Sequence, residues 1–302
     1  MKHIIRPMGL LQISGESRLD LINRMSTNEV SLLKPGQGAA TVLTTDIGRI
    51  IDRLIIYADE SSAIAMTGEN NGDNIGRYLM RFVFFNDDFV IHPITNNFST
   101  IFVYGDDAAR NLSEICGAGL ALAPHAWIKI SINNIELTLH ATDPLDSSGF
   151  VLIVPKESQD EVISAIQAAG SQEISEEEFD GMRIDALLPR LRHEMTGDYI
   201  PLETGLWDDV SFTKGCYTGQ EIIARMDSRG KIARKLVQLD VDLQNGSPLA
   251  VGAAITAAGK PAGTITTAVG NRALGYVKSS LLEKEIPLEV EGNPVRPILS
   301  PL

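Results

Sequence analysis

Apolar positions along this chain recur with two periods, and the alternation between them outlines its elements. Residues 10–14 form a short apolar run of strand character, Gly15 turns the chain, and residues 16–25 place Leu19, Ile22 and Met25 at helical spacing. About ninety positions later the order returns, with a strand predicted over 101–104, a turn at Gly105 and a helix over 106–115. Each unit then continues through strands and closes with a helix. In the first, strands near 39–44, 50–57 and 63–66 precede a helix near 73–81. In the second, strands near 127–131, 135–139 and 150–154 precede a helix over 159–169, with Ser158 and Glu161 spaced as a capping box and Gly170 as the stop. Two related α+β units, each a sheet with helices on one face, satisfy this pattern.

Ser175 and Glu178 offer another capping box, and the acidic run 176–178 falls where a helix N-terminus favours negative charge. After Lys235 the texture changes to short strands separated by turn residues, among them Asn245-Gly246, Gly259-Lys260-Pro261 and Gly292-Asn293-Pro294. A small all-β barrel or sandwich is expected there. The domain reading is therefore 1–97 for the first α+β unit, 98–233 for the second and 234–302 for the barrel, closely packed because no Pro/Gly/Ser linker separates them.

Candidate chemistry concentrates in residues 213–230, TKGCYTGQEIIARMDSRG. Thr218 followed by Glu221 fits a capping box, so a helix is expected from Gly219, with Ile222, Ile223 and Met226 inward and an end near Gly230. Cys216 then lies just ahead of a helix N-terminus, where unpaired amides carry roughly half a positive charge, and Lys214 is two residues away. Both favour a thiolate. Two readings stay open for Cys216, a working thiol and a small buried hydrophobe. Cys116 closes an amphipathic helix before Gly117, and core packing is its expected role. Between Arg225 and Lys235 five basic residues face one acid, Asp227, which suits an anionic ligand or partner surface unless the run is simply solvated.

Bulk properties narrow the function. A chain of 302 residues, 44% apolar and 22% charged, has ordinary globular composition, and its net charge of −13 disfavours nucleic acid as a partner. The apolar stretch 8–13 is too short for a signal peptide, and no run approaches the roughly 20 residues of a membrane helix. Two cysteines 100 positions apart then point to a reducing cytoplasm rather than a disulfide framework. No metal site is expected, because there is no CxxC pair, the histidines are five and scattered, and His193-Glu194 lacks the second histidine of a metalloprotease motif. Gly36-Gln37-Gly38 precedes a strand-like run and makes a poor phosphate loop.

The run KGCYTGQEIIARM at 214–226, with PLETGL at 201–206, resembles the YgfZ family of folate-binding proteins, relatives of the glycine cleavage aminomethyltransferase that support assembly or upkeep of iron–sulfur enzymes. Weaker resemblance covers most of the chain, including Thr27-Asn28 and Gly48 to Asp52. It implies an α+β three-domain ring of the aminomethyltransferase type, with the first two units interleaved, a C-terminal antiparallel β-barrel and a central folate hole. It further implies tetrahydrofolate or a one-carbon derivative as cofactor, and iron–sulfur proteins or their assembly factors as partners. Cys216 would be the redox or nucleophilic thiol and Lys214 would favour its thiolate, with Gly215, Tyr217, Gly219, Gln220 and Glu221 shaping the loop and helix. Asp52, Arg53, Arg183, Glu203 and Arg225 would contact folate, although an ordinary helix-surface ion pair is the alternative for Arg183.

Two departures from the transferase bear on chemistry. Its two consecutive aspartates correspond to Asp52-Arg53, and a guanidinium cannot accept a proton. Its GEDGF segment corresponds to Ser147-Ser148-Gly149-Phe150, without the folate-contacting glutamate. Both favour the accessory role over ordinary aminomethyl transfer. A folate-dependent aminomethyltransferase or demethylase, and a binding module with Cys216 buried and inert, are the competing readings.

Overall fold

Gly15 and Gly105 adopt φ of 97° and 117°, in a region open to glycine, and at each the chain leaves a strand and enters a helix. This shared corner starts the two halves of the repeat. The computed structural model describes residues 1–145, 147–230, 232–244 and 248–298, so the Asn245-Gly246 turn and Lys231 of the basic run lie outside the described residues, as does the side chain of Arg229.

The chain opens with β1 (Lys2–Arg6), β2 (Met8–Ser14), α1 (Arg18–Met25), β3 (Gly38–Thr44), β4 (Ile50–Ala58), β5 (Ser62–Glu69), α2 (Gly72–Leu79) and β6 (Val90–Pro93). The second half of the repeat holds β7 (Phe98–Tyr104), α3 (Ala108–Cys116), β8 (Trp127–Ile132), β9 (Ile135–Ala141), β10 (Gly149–Pro155), α4 (Gln159–Ala168) and β11 (Gln172–Glu173). One sheet has the order β3-β4-β5-β2-β6 and the other β11-β1-β7-β10-β9-β8. Read from β3 and from β8, the two orders match strand for strand, with β6 and β1 in equivalent places. The N-terminal strand therefore belongs to the second sheet, antiparallel to β7, and sheet membership does not follow the sequence division at 97.

Each sheet buries one face under its two helices. Leu11, Ile13, Leu21, Ile22, Leu54 and Ile75 share one core; Ile101, Val103, Leu112, Leu152, Val162 and Ile166 share the other, and Cys116 packs at its edge. The absence of β1 from the sequence pattern has a physical reason. His3 and Arg6 look like surface residues yet are buried, His3 against Ser171 at 2.8 Å and Arg6 in an ion pair with Glu69. The capping box expected at Ser158 does not form: a 3-10 turn, Lys156–Ser158, leads into α4, and Ser158 is not extended as a capping residue should be.

The chain divides into two compact units, one of Met1–Thr44, Ile51–Ser175 and Asp208–Thr218, the other of Thr45–Ile50, Glu176–Trp207 and Gly219–Leu302. The second contains α5 (Glu176–Asp185), α6 (Gln220–Arg229), β12 (Arg234–Val241), β13 (Ala254–Ala257), β14 (Lys260–Val269), β15 (Arg272–Lys278), α7 (Ser279–Leu282), β16 (Leu288–Val290) and β17 (Asn293–Ile298). Its strands close a barrel in the order β12-β15-β14-β13-β16-β17, the expected barrel rather than a sandwich, and closure leaves no open edge. No helix among the described residues is long and apolar enough to cross a membrane.

Helix α5 lies on β14 and β15 of the barrel, and Arg183, 1% exposed, joins them. Its Nε and Nη2 donate to Asp180, Nη1 to the Leu188 carbonyl and Glu194, and Nη2 also to Thr267 Oγ1, at 2.8–3.1 Å. Glu194 is fully buried and also accepts from Thr267 and from the Arg190 amide. Removing one member of such a pair strands the other charge in the interior. Arg183→Met is expected to cost about 3–5 kcal/mol in chemical denaturation, and adding Glu194→Leu should recover part of that loss.

Candidate functional site

The segment 208–218 is bound edge-on to the end of α1, the residues just after it and the end of β3, within the first unit. Thr27 Oγ1 donates to the Asp209 carbonyl at 2.6 Å, the Ser211 amide to the Thr27 carbonyl at 3.0 Å, and Asn28 Nδ2 to the Asp208 carbonyl at 3.1 Å. At the far end the Thr218 amide donates to the Arg24 carbonyl at 3.1 Å, and Thr44 Oγ1 donates to the Thr218 carbonyl at 2.7 Å.

Lys214 is the central anchor. The three N–H donors of its ammonium are shared among the carbonyls of Asn23, Ser26 and Asn28 and Asn23 Oδ1, at 2.6–3.0 Å. Carbonyls past the last turn of a helix lack intrahelical donors, and a lysine satisfies them with favourable charge. Burial pushes its pKa down to about 8, against an opposing pull from Glu29. On the other side of the loop tip Tyr217 is buried, its ring 5.3 Å from the Lys214 nitrogen. Burial pushes its hydroxyl up to about 12.

Between these anchors Gly215 and Cys216 stand exposed, and a Cβ placed on Gly215 would meet nothing within 4 Å. The small buried hydrophobe expected as one reading of Cys216 is thus corrected, because half-buried Lys214 and buried Tyr217 root the loop while the tip between them is lifted out. The role expected for Lys214 changes as well, since its hydrogen bonds go to backbone carbonyls of the α1 end. The Thr218–Glu221 capping box also does not form. The N-cap of α6 is Gly219 at φ 86°, Thr218 Oγ1 faces Met25 Sδ at 3.6 Å, and Glu221 pairs with Arg225 at 2.9 Å. Gln220 opens α6 half-buried.

Behind this loop lies a charged triad. Arg53 of β4 donates through Nε to Asp209 and through Nη1 to Asp143, both at 2.6 Å, and Nη2 adds bonds of 3.1 and 3.3 Å to the two carboxylates. Burial opposes ionisation of Asp143, yet the charge and hydrogen bonds of Arg53, with His125 adding to them, hold its carboxyl well below the usual range. His125 Nε2 is 3.9 Å from Asp143. Deeper in, Tyr57 Oη lies 2.9–3.0 Å from the ring nitrogens of His140, whose pKa falls to about 3 through burial and the nearby His125.

Asp52, expected from the resemblance to contact folate, is fully buried and accepts from the Arg53 and Gly68 amides and from Asn71 Nδ2 at 2.8–3.1 Å. Its oxygens brace the backbone, which corrects that expectation. Arg53 is likewise no isolated cation, because two carboxylates neutralise it.

In the second unit Glu203 is 6% exposed, accepts from the Ile200 amide at 3.2 Å, and lies 3.9 Å from Arg49 and 3.6 Å from Arg234. Burial raises its pKa despite these neighbours. Tyr199 stacks on Tyr276 at 3.4 Å between ring centres, and the Arg234 guanidinium lies 5.2 Å from the Tyr199 ring. Arg183, with every N–H committed within the fold, has a structural role in place of the folate contact and surface ion pair expected of it. Arg225 is half exposed and held by Glu221, so the basic run is partly paired along its length. Asp143, Asp209 and His125 were not singled out in the sequence. One signal did point to them, since a charged Arg53 inside an apolar strand requires counter-charges.

The fold so described, a doubled sheet-and-helix unit with a closed β-barrel, is that of the glycine cleavage T protein. Residues 5–214 match the GCVT N-terminal domain and residues 234–301 match the CAF17 C-terminal beta-barrel domain. This chain belongs to the GCVT family. It superposes on the glycine cleavage system aminomethyltransferase T from Bartonella henselae with a TM-score of 0.85 at 18% identity, over 99% of this chain and 85% of that one. Among curated relatives, a putative chloroplastic transferase of Arabidopsis thaliana is 25% identical over 89% of this chain, which spans 63% of that protein. The aminomethyltransferase of Bacillus velezensis is 27% identical over 94% of this chain and 80% of its own length.

Replacing Arg53 would leave two carboxylates facing each other. Arg53→Leu is expected to cost about 3–5 kcal/mol at neutral pH. In the wild type the depressed pKa of Asp143 contributes stability that is present above its ordinary value of 3.8 and is lost as pH falls through the folded value. The gap between variant and wild type should therefore hold steady down to about pH 4 and narrow as pH falls below 3.8, measured by urea unfolding from neutral to acid pH; a gap that stays constant below 3.8 would contradict the triad's electrostatic role.

Proposed function

We propose that this protein is a tetrahydrofolate-binding accessory factor that supports assembly or repair of iron–sulfur enzymes, with Cys216 as its working thiol. The observation that carries the reading is the presentation of Cys216, exposed at a tip whose flanks are pinned by Lys214 on one side and Tyr217 and Thr218 on the other. A thiol has to reach solvent to attack or be oxidised. The KGCYTGQE run and the CAF17-type barrel support the same assignment.

Folate fits the donor set of the second unit. Glu203 is a nearly buried carboxylate with one hydrogen bond, of 3.2 Å, so acceptor capacity remains for the N–H edge of a pterin-like ring. Arg49 and Arg234 keep that carboxylate near ionisation and oriented. Bound tetrahydrofolate would supply a one-carbon acceptor or a reductant, and the chain's own contribution is to hold the ring edge and present the thiol.

Aminomethyl transfer is the second reading, favoured by the names of the relatives. Against it, Arg53 stands where the transferase carries a carboxylate, and a guanidinium tied to Asp143 and Asp209 is no proton acceptor.

Tetrahydrofolate should bind the wild type and Cys216→Ala equally in calorimetric titration, while Glu203→Gln weakens binding about tenfold, or about 1.4 kcal/mol. In cells lacking the protein, Cys216→Ala should fail to restore iron–sulfur enzyme activity. Full restoration by that variant would remove the thiol role, and turnover of an aminomethyl donor to methylene-tetrahydrofolate would establish the second reading instead.

A further inference from the structure

Single exposed apolar side chains are common, but this chain gathers several at one place. Met80 and Phe84 are 49% and 61% exposed, and Phe85 is fully exposed. They follow directly from α2, which continues as a 3-10 turn, Met80–Phe82. Arg77, Met80 and Arg81 are exposed along α2 and the turn that continues it, Phe84 and Phe85 are exposed just beyond the extended Val83, and Ile75 and Leu79 point into the core.

The aromatic turn is rigidly built. The Phe84 amide donates to Asp87 Oδ2 at 2.8 Å and the Asp87 amide to the Phe84 carbonyl at 3.0 Å. Arg24 Nη2 donates to both Asp87 oxygens at 2.9–3.0 Å, and its guanidinium lies 5.4 Å from the centre of the Phe84 ring. The carbonyl of the same Arg24 accepts the amide of Thr218, two residues from Cys216. One residue thus fixes the aromatic turn and one end of the thiol loop.

Charge gives the patch a sign. In a chain of net charge −13, Arg77 and Arg81 are exposed; Arg77 Nη2 donates to Asn74 Oδ1 at 2.6 Å, and neither guanidinium is in an ion pair among the described residues. A surface of exposed aromatics and guanidinia without counter-carboxylates, tied through Arg24 to the thiol loop, suits one kind of partner.

We propose that Met80, Phe84 and Phe85 with Arg77 and Arg81 dock a protein partner that carries a cysteine within an apolar segment flanked by carboxylates, and so deliver its sulfur to Cys216. This rests on the thiol reading of the previous subsection. Docking sets which sulfur arrives, and Cys216 sets the chemistry. In thiol–disulfide exchange the Cys216 thiolate attacks the partner-side sulfur of a disulfide; the new bond joins Cys216 to the partner, the old S–S bond breaks, and its electron pair leaves with the released thiolate.

The test uses the full chain in a Cys116→Ser background and two probe peptides, each with one cysteine activated as a pyridyl disulfide. One has apolar residues flanked by Glu and the other the same residues flanked by Lys. The acidic peptide should react about tenfold faster than the basic one at low salt. Arg77→Glu with Arg81→Glu should reverse that preference, and Phe84→Ser with Phe85→Ser should slow both peptides. Reaction with the small neutral reagent dithiodipyridine should be unchanged in all variants, which shows the thiol loop intact. A preference below twofold in the wild type, or one that survives both double variants, overturns the proposal. So does sedimentation showing a dimer that the Phe84/Phe85 variant dissolves, because the patch would then belong to a second copy. If Cys216 is inert to dithiodipyridine, the thiol reading fails separately. Docking is then read from fluorescence anisotropy of the acidic peptide with Ser in place of Cys: weakening by the Phe84/Phe85 variant supports it and equal affinity overturns it.

Discussion

A guanidinium removed from water must find counter-charges, and in this protein Arg53 finds two. Asp143 follows β9 of the second sheet, Asp209 lies in the thiol-bearing segment, and Arg53 belongs to β4 of the first sheet. Asp143 and Asp209 lie 90 and 156 positions from Arg53, so satisfying one buried charge ties three distant stretches of chain together. Truncating Arg53 strands both carboxylates, which makes this ion cluster a constraint on the whole first unit. It also changes the chemistry of the position. A guanidinium held between two carboxylates accepts no proton.

The thiol loop solves a different problem with similar means. An exposed loop tip ordinarily moves, and a wandering thiol reacts without selectivity. Here the end of α1 leaves carbonyls without donors, and Lys214 satisfies them with an ammonium that burial has brought down to about 8. The loop gains a fixed root at the place where the helix needs a cap. Tyr217 and Thr218 root the other end, so Gly215 and Cys216 project from a held base.

Much of this was legible in the chain itself. The two strand-glycine-helix corners, the helices over 159–168 and 220–229 and the change to barrel texture near 234 all follow from local spacing and turn residues. Cys216 and Lys214 stood out for the same reason, being unusual residues in a short distinctive run. Local rules failed where side chains had tertiary partners. Ser158 and Thr218 have capping spacing without capping bonds, and Thr218 instead meets Met25, Arg24 and Thr44. His3 and Arg6 disguised a buried strand as a polar stretch because their partners are Ser171 and Glu69.

The division has a physical basis. Helix and strand periods, glycine corners and charge runs are properties of neighbouring residues, so the elements, the repeat and the chemically distinctive cysteine are encoded where they stand. Exposure, neutralisation and hydrogen-bond partnership are set by what packs against a group. Folding alone therefore assigned Asp143 and Asp209 to Arg53, sent Lys214 to the carbonyls of α1, enclosed Arg183 beside Glu194, and left the thiol of Cys216 facing water.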